Sequence, residues 1–192
     1  MFIRSERLFL RPGWSEDRSE LLALIAQRDH GPRLAADCVP YTDDDALRFL
    51  KGDAEPMLPR FLVTLPGPGG ARMIGCIGLS RHRGEAELGY WIARDLWGNG
   101  YAAEAARAIL GLALALGHGR IVASHFIEDA AAGKVLHAAG FARTGRVAER
   151  RCHASGTISS ALEFAVTLRA GGPQGSGGHD DELLATGRRR AA

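Results

Sequence analysis

Residues 91–105 read Trp-Ile-Ala-Arg-Asp-Leu-Trp-Gly-Asn-Gly-Tyr-Ala-Ala-Glu-Ala. Alternation over residues 86–92 predicts a strand, and the apolar run over residues 101–116 predicts a helix buried against a sheet. The first turn of such a helix has unpaired N–H groups and a positive dipole end. Gly98 and Gly100 lack side chains, so backbone amides can approach an anion. The segment therefore suits a phosphate or pyrophosphate, although glycines at this spacing can also serve the turn alone.

The flanking residues favour the phosphate interpretation. Leu88-Gly89-Tyr90-Trp91-Ile92, followed by Trp97-Gly98-Asn99-Gly100-Tyr101-Ala102 and Glu104-Ala105, closely resembles the GNAT superfamily of N-acetyltransferases. The resemblance is to the branch that contains the ribosomal-protein N-terminal acetyltransferases. Arg7 to Arg11 resembles the opening strand of that branch, and His125-Phe126, Val135-Leu136 and Gly140-Phe141 resemble its later cofactor segment. In total the resemblance covers about residues 3–168.

The resemblance implies an α/β fold with one mixed, mostly antiparallel sheet of six or seven strands, covered by about four helices. Its fourth and fifth strands are expected to splay apart and admit acetyl-CoA. One domain spans residues 1–169, and the Gly-rich and Arg-rich residues 170–192 are expected to form a disordered tail. The residues that it assigns to the cofactor are Ile92, Ala93, Arg94, Trp97, Gly98, Asn99, Gly100, Tyr101, Ala102, Asp129 and Lys134.

One segment departs from the family pattern. The family usually has Asn-x-x-Ser before the helix that ends in Gly-Phe, and the aligned positions here hold Asp129 and Ala132. An ionised aspartate accepts hydrogen bonds but cannot donate them. Asp129 is therefore a better candidate for a helix cap than for a direct ligand contact. The departure bears on cofactor affinity and leaves the fold expectation unchanged.

The remaining elements follow from periodicity and turn residues. Apolar alternation and a Pro-Gly-rich break predict a hairpin of the second and third strands. The same signals predict a strand–helix–strand unit after the long helix and capped helices near the N-terminus. The predicted strands are Ile3–Arg11, Arg60–Leu65, Met73–Leu79, Ala86–Ile92, Ile121–Ile127, Phe141–Val147 and Ile158–Leu168, and the predicted helices are Ser15–Ile25, Asp43–Leu50, Tyr101–Leu116 and Ala130–Ala139.

Acetyl transfer to an amine needs a proton acceptor and donors for the oxyanion. Glu87 on the fourth strand is the first candidate for the base, with a surface carboxylate as the equal alternative. The tyrosine acid common in the family has no counterpart, because no tyrosine follows Tyr101. His125 on the fifth strand could relay a proton near neutral pH, but a lone strand histidine is more often structural. The histidines and cysteines show no metal-ligand spacing, so no metal is expected.

The composition is that of an ordinary globular domain. The chain has 192 residues and a net charge of +2, which gives no indication of a nucleic-acid partner. Cys38, Cys76 and Cys152 are odd in number and widely spaced, which favours free thiols in a reducing compartment. No signal peptide or apolar run long enough for a membrane span is visible, so a cytoplasmic location is expected.

The acceptor is expected to be a primary amine, either a protein N-terminus or a small molecule such as a polyamine or aminoglycoside. Its pocket is expected in the loops after the first strand and around Cys152 to Gly156. Asp43 to Asp45 could give an acidic lining, but capping a helix suits them better. The alternative is a non-catalytic acyl-CoA-binding or regulatory module, favoured by Asp129, Ala132 and the missing tyrosine. An exposed last strand could also pair between two subunits and give a homodimer.

Overall fold

A computed structural model describes residues 1–26, 42–51, 55–151 and 157–169. In these ranges one mixed sheet of eight strands carries four α-helices, which confirms the expected fold class. The strands are β1 Ile3–Arg4, β2 Phe9–Arg11, β3 Arg60–Gly67, β4 Gly70–His82, β5 Glu85–Ile92, β6 Arg120–Phe126, β7 Ala142–Arg151 and β8 Ile158–Thr167. The helices are α1 Arg18–Ala26, α2 Asp43–Leu50, α3 Tyr101–Ala115 and α4 Ala130–Ala138.

The spatial order of the strands is β1-β2-β3-β4-β5-β6-β8-β7, and only the β5–β6 pair is parallel. That pair holds register only from Ala86 to Leu88 against Ile121 to Ala123. Beyond Leu88 the two strands continue without pairing, as the expected splay requires. The rest of β5 remains bonded to β4 as far as Ile92, so one edge of its last residues is open to the gap.

The prediction of one continuous strand over residues 3–11 was wrong. The chain turns back between Ser5 and Leu8, where the Ser5 N–H donates to the Leu8 carbonyl at 3.0 Å, and β1 pairs with β2 as a small hairpin. The turn residues have partners outside the hairpin, because Ser5 and Arg7 both donate hydrogen bonds to Glu104 on α3. Arg7 and Glu104 are 97 positions apart, so the local alternation of apolar residues gives no sign of their contact.

Two apolar clusters cover the sheet. Leu88 and Ile92 of β5 pack with α3 on one face, whereas Trp91 packs with α1 and α2 on the other. Adjacent side chains of a strand point to opposite faces, so this division follows directly from the sequence of β5. Both faces of β5 are therefore buried against helices.

The start of α2 agrees with its capping signal, whereas the helix predicted from Ser15 begins only at Arg18, after a 3-10 turn over Ser15–Asp17. Thr42 accepts a hydrogen bond from the Asp45 N–H, and the Asp45 carboxylate accepts one from the Thr42 N–H. Asp45 therefore belongs to a capping box. No helix among the described residues is long and apolar enough to cross a membrane.

Cys76 is fully buried. Cys38, the expected acceptor loop 152–156 and the expected tail 170–192 lie outside the described residues.

Candidate cofactor and acetyl-transfer site

The gap between β5 and β6 opens into a cavity of about 370 Å³. Its walls come from both strands, the loop before α3, the first turn of α3 and one side of α4. Most of the predicted cofactor residues line it, namely Ile92, Trp97, Gly98, Gly100, Tyr101, Ala102, Asp129 and Lys134. Ala93, Arg94 and Asn99 were also predicted to contact the cofactor but do not line this cavity.

The 97–102 loop presents unpaired donors. Among the described residues, no acceptor takes the backbone N–H groups of residues 98–103, and the first helical bond runs from the Glu104 N–H to the Gly100 carbonyl. Gly98 and Gly100 both have φ of 79°, a backbone conformation that residues with a side chain rarely adopt. Backbone donors at the positive end of a fifteen-residue helix form an anion site. The loop therefore suits an anion such as a phosphate or pyrophosphate.

Protein donors occupy several carbonyl groups in and next to this loop. The Asn99 side-chain amide donates to the carbonyls of Leu96 and Trp97, at 3.0 and 3.2 Å. The Trp97 indole N–H donates to the Ile92 carbonyl at 2.8 Å and ties the loop to the end of β5. These hydrogen bonds involve carbonyl groups, and the N–H groups of residues 98–103 stay without an acceptor among the described residues.

Glu104 lies behind the loop and is almost fully buried. One carboxylate oxygen accepts hydrogen bonds from the Ser5 hydroxyl and the Arg7 N–H, both at 2.7 Å, and the other pairs with Arg7 Nε at 2.7 Å. Burial alone would raise the pKa of Glu104, but these hydrogen bonds and the Arg7 charge outweigh it and lower the pKa. Glu104 is therefore ionised at neutral pH.

The lowered pKa has a consequence for acid stability. A carboxylate whose pKa is lower in the folded state stabilises the fold fully above its unfolded pKa, and this contribution disappears as the pH falls through the folded pKa. We therefore expect Glu104→Gln to be less stable than the parent above its ordinary pKa of 4.5, and the difference to shrink on acidification. Urea unfolding from pH 7 to pH 3 measures it. A stability difference that is independent of pH would contradict the prediction.

Glu87 is buried and ion-paired, unlike a general base that is accessible to a substrate. It is 1% exposed, and both carboxylate oxygens accept hydrogen bonds from Arg150 at 2.8 Å. Glu87 does not line the cavity, but Ser124 does, and its hydroxyl donates to Glu87 at 3.1 Å. The geometry therefore connects Glu87 to the cavity through one hydroxyl. Its role as a proton acceptor stays a prediction.

His125 lines the cavity and is 6% exposed. Its Nδ1 lies 2.8 Å from the Phe126 carbonyl, an arrangement in which Nδ1 carries the proton and donates. Its ring centroid lies 5.1 Å from that of Phe164, and Nε2 would be 2.9 Å from a Cβ at Gly133. These contacts give the ring a structural role, and its catalytic role also stays a prediction.

Asp129 caps α4, because its carboxylate accepts a hydrogen bond from the Ala132 N–H at 3.0 Å. Sequence reasoning expected this role for it. Tyr90 crosses to the same turn and donates to the Ala132 carbonyl at 3.4 Å. Burial, with the negative charge of Asp129 adding to it, raises the pKa of Tyr90 far above its ordinary value. The phenol is therefore neutral and protonated beside the cavity that it lines.

Sequence reasoning missed two parts of this site. Arg150, the partner of Glu87, is 63 positions away from it in the chain. Arg7, the partner of Glu104, is 97 positions away. Neither pair carries a local motif. The only signal was that each carboxylate lies on a mostly apolar element, since buried charges are usually paired.

Comparison with known families gives a match over most of the chain. Residues 7–142 match the family described as "Acetyltransferase (GNAT) domain". No curated protein matches the chain in sequence.

Solved structures share the architecture. An acetyl transferase from Salmonella typhimurium, which modifies the N-terminal serine of a 50S ribosomal subunit protein, has a TM-score of 0.71 and 16% identity, over 88% of this chain and 100% of that one. RimJ from Mycobacterium smegmatis, in complex with CoA-disulfide, has a TM-score of 0.69 and 22% identity, over 87% and 86%. A GNAT-family acetyltransferase from Bacillus anthracis has a TM-score of 0.65 and 22% identity, over 87% and 98%. At these identities the likeness concerns the fold.

Proposed function

Because this chain belongs to the acetyltransferase (GNAT) family, we propose that it transfers the acetyl group of acetyl-CoA to a primary amine by direct attack. The observation that carries the proposal is the row of backbone N–H groups over residues 98–103, which have no acceptor in the described part of the chain and lie beside the cavity between the splayed strands. Anion donors at a helix N-terminus and an apolar gap beside them suit a pyrophosphate with an extended apolar arm.

The reaction requires few contributions from side chains. The nitrogen of the neutral amine bonds to the acetyl carbonyl carbon, the carbon–sulfur bond breaks, and the nitrogen loses a proton while the sulfur gains one. Holding the two reactants together supplies much of the rate. In this proposal the amine proton passes to Glu87 through the Ser124 hydroxyl, which is hydrogen-bonded to that carboxylate and faces the cavity. His125 is the second candidate for proton relay, since it lines the same cavity.

A protein N-terminus is the acceptor that we favour. Two solved structures with a similar fold are described as enzymes that acetylate the N-terminus of a ribosomal protein. The sequence resembles the same branch of the family. Fold likeness alone does not fix an acceptor, so small amines belong in the same test. An acceptor of this class would place the reaction in the cytoplasm.

A thiol-release screen tests the proposal. The purified protein is incubated with acetyl-CoA and a panel of N-terminal peptides, polyamines and aminoglycosides, and free thiol is measured with mass detection of the acetylated product. We expect one amine class to be acetylated. Binding of CoA with no product from any class would overturn the enzymatic proposal and support the rival described next.

The rival is a non-catalytic acyl-CoA-binding module. Two observations favour it: both oxygens of Glu87 are engaged by Arg150, and Ala132 has no hydroxyl where the resembling family usually has serine. Tyr90 partly offsets the missing serine hydroxyl, because its own hydroxyl donates a hydrogen bond to the Ala132 carbonyl. We prefer catalysis, since Ser124 links the carboxylate to the cavity.

Glu87→Gln distinguishes the two roles of this carboxylate. If Glu87 accepts the amine proton, the amide variant should lower kcat by about tenfold or more and shift the acidic limb of the pH–rate profile. The control is Glu55→Gln, which alters a half-exposed ion pair with Arg81 away from the cavity lining. An unchanged pH profile at reduced thermal midpoint would remove Glu87 from the chemistry and leave it as a structural partner of Arg150.

A further inference from the structure

Two side chains behind the 97–102 loop are arranged to hold its shape. We propose that Arg7 and Glu104, called here the Arg7–Glu104 pair, position this loop for the pyrophosphate without lining the cavity themselves. The inference rests on the proposed function, since it concerns the same ligand. It assigns a purpose to the turn between β1 and β2, which would otherwise be only an edge hairpin.

Arg7 contacts Asn99 in the loop and two residues in the first turn of α3. Its Nη1 donates to the Asn99 carbonyl at 3.0 Å, its guanidinium carbon lies 4.6 Å from the centroid of the Tyr101 ring, and its Nε pairs with Glu104 at 2.7 Å. Glu104 is 4% exposed and also accepts from the Ser5 hydroxyl and the Arg7 N–H. The buried carboxylate thus fixes the arginine, and the arginine fixes the loop.

The hydrogen bond to Asn99 has a geometric consequence for the donor that follows it. In a trans peptide the C=O of Asn99 and the N–H of Gly100 point in opposite directions. Holding the carbonyl toward Arg7 therefore turns the Gly100 N–H away from Arg7. Gly100 lines the cavity and Arg7 does not. The Arg7–Glu104 pair accordingly orients one of the unpaired donors toward the ligand.

A second interpretation is that Arg7 itself binds a phosphate, since its side chain is 46% exposed. The two interpretations differ in the role of Glu104. If Arg7 were a direct anion ligand, removing its negative partner would leave CoA affinity unchanged or raise it. If Arg7 acts by positioning the loop, losing the partner would lower CoA affinity.

A matched control lies on the next strand. Arg11 on β2 pairs with Asp17 through both terminal nitrogens, at 2.6 and 2.7 Å, and lies 4.4 Å from the centroid of the Trp14 ring. This is the same combination of carboxylate and aromatic partner, but no described contact joins Arg11 to the loop. A change at Arg11 therefore reproduces the loss of such a pair without touching residues 97–102.

The experiment compares Arg7→Lys, Glu104→Gln and Arg11→Lys by calorimetric titration with CoA and with pantetheine, which lacks the pyrophosphate. We expect both Arg7→Lys and Glu104→Gln to raise the Kd for CoA by about tenfold. Arg11→Lys should leave that Kd unchanged, and pantetheine should bind all four proteins alike. Thermal midpoints confirm that each variant is folded at the titration temperature.

The possible results distinguish a failure of the proposed function from a failure of the positioning role alone. If the parent binds no CoA, the proposed function is wrong and this inference is overturned with it. If the parent binds CoA and Glu104→Gln binds it equally or more tightly, only the positioning role is overturned. An equal loss of pantetheine binding in the Arg7 and Glu104 variants would also overturn it, because the damage would not be specific to the pyrophosphate.

Discussion

Arg150→Met should lower the free energy of unfolding by about 3–5 kcal/mol, because it leaves the Glu87 carboxylate buried without its guanidinium partner. Glu87 is 1% exposed and Arg150 is 9% exposed, so water cannot readily replace the lost contacts. Methionine keeps an unbranched apolar stem, so the loss of charge and hydrogen bonding dominates the effect. Urea unfolding at pH 7 measures it.

Two further variants test that explanation of the Arg150 effect. Arg81→Met removes the guanidinium from a half-exposed pair with Glu55 and should cost no more than about 1 kcal/mol. Combining Arg150→Met with Glu87→Leu should recover much of the stability, since no buried charge is then left unpaired. If Arg150→Met costs no more than Arg81→Met, the ion pair is not a significant part of the core.

Gly100→Val should weaken acetyl-CoA binding by about 2–3 kcal/mol, the scale of one or two charge-assisted hydrogen bonds. The residue has φ of 79°, where a β-branched side chain is strained, and a Cβ there would lie 3.5 Å from Arg7 Nη2. Relief of that strain requires the loop to rearrange, which moves the N–H groups away from the ligand. Because 3.5 Å is an ordinary van der Waals distance, the structure locates the effect in the backbone conformation of Gly100.

Gly117→Val is the matched control for Gly100→Val. Gly117 follows the other end of α3, has φ of 90°, and a Cβ there would meet no atom within 4 Å. It should suffer a similar conformational penalty of about 1–2 kcal/mol in stability and keep its acetyl-CoA affinity. Calorimetry and thermal midpoints on both variants decide the matter. Equal affinity losses in the two variants would show that strain in α3, rather than the loop geometry, controls binding.

The parts of the fold that the sequence predicts well are set by local signals. The β3–β4 hairpin follows from the Pro-Gly turn residues between two apolar runs, and it extends over more residues than alternation indicated. The Gly98 and Gly100 conformations follow from the residue type, and the Asp129 cap follows from its place before an apolar helix. Each of these features is decided within a few residues of the chain.

The parts that the sequence did not predict depend on the register between distant elements. The turn at Ser5 is stabilised by Glu104, and the carboxylate of Glu87 is neutralised by Arg150. Alternation along a strand contains no information about which residue of a later strand lies opposite it. Glu87, the candidate base, therefore proved to be one half of a buried ion pair.

The central claim is that the backbone N–H groups of residues 98–103 hold the pyrophosphate of the acetyl donor, and amide NMR tests it most directly. In ¹H–¹⁵N correlation spectra, titration with CoA should move these amide proton signals downfield as they gain phosphate acceptors. Pantetheine should leave the same signals nearly unchanged. If CoA binds while these signals remain in place and amides elsewhere shift instead, the anion site lies elsewhere and the account of this loop is contradicted.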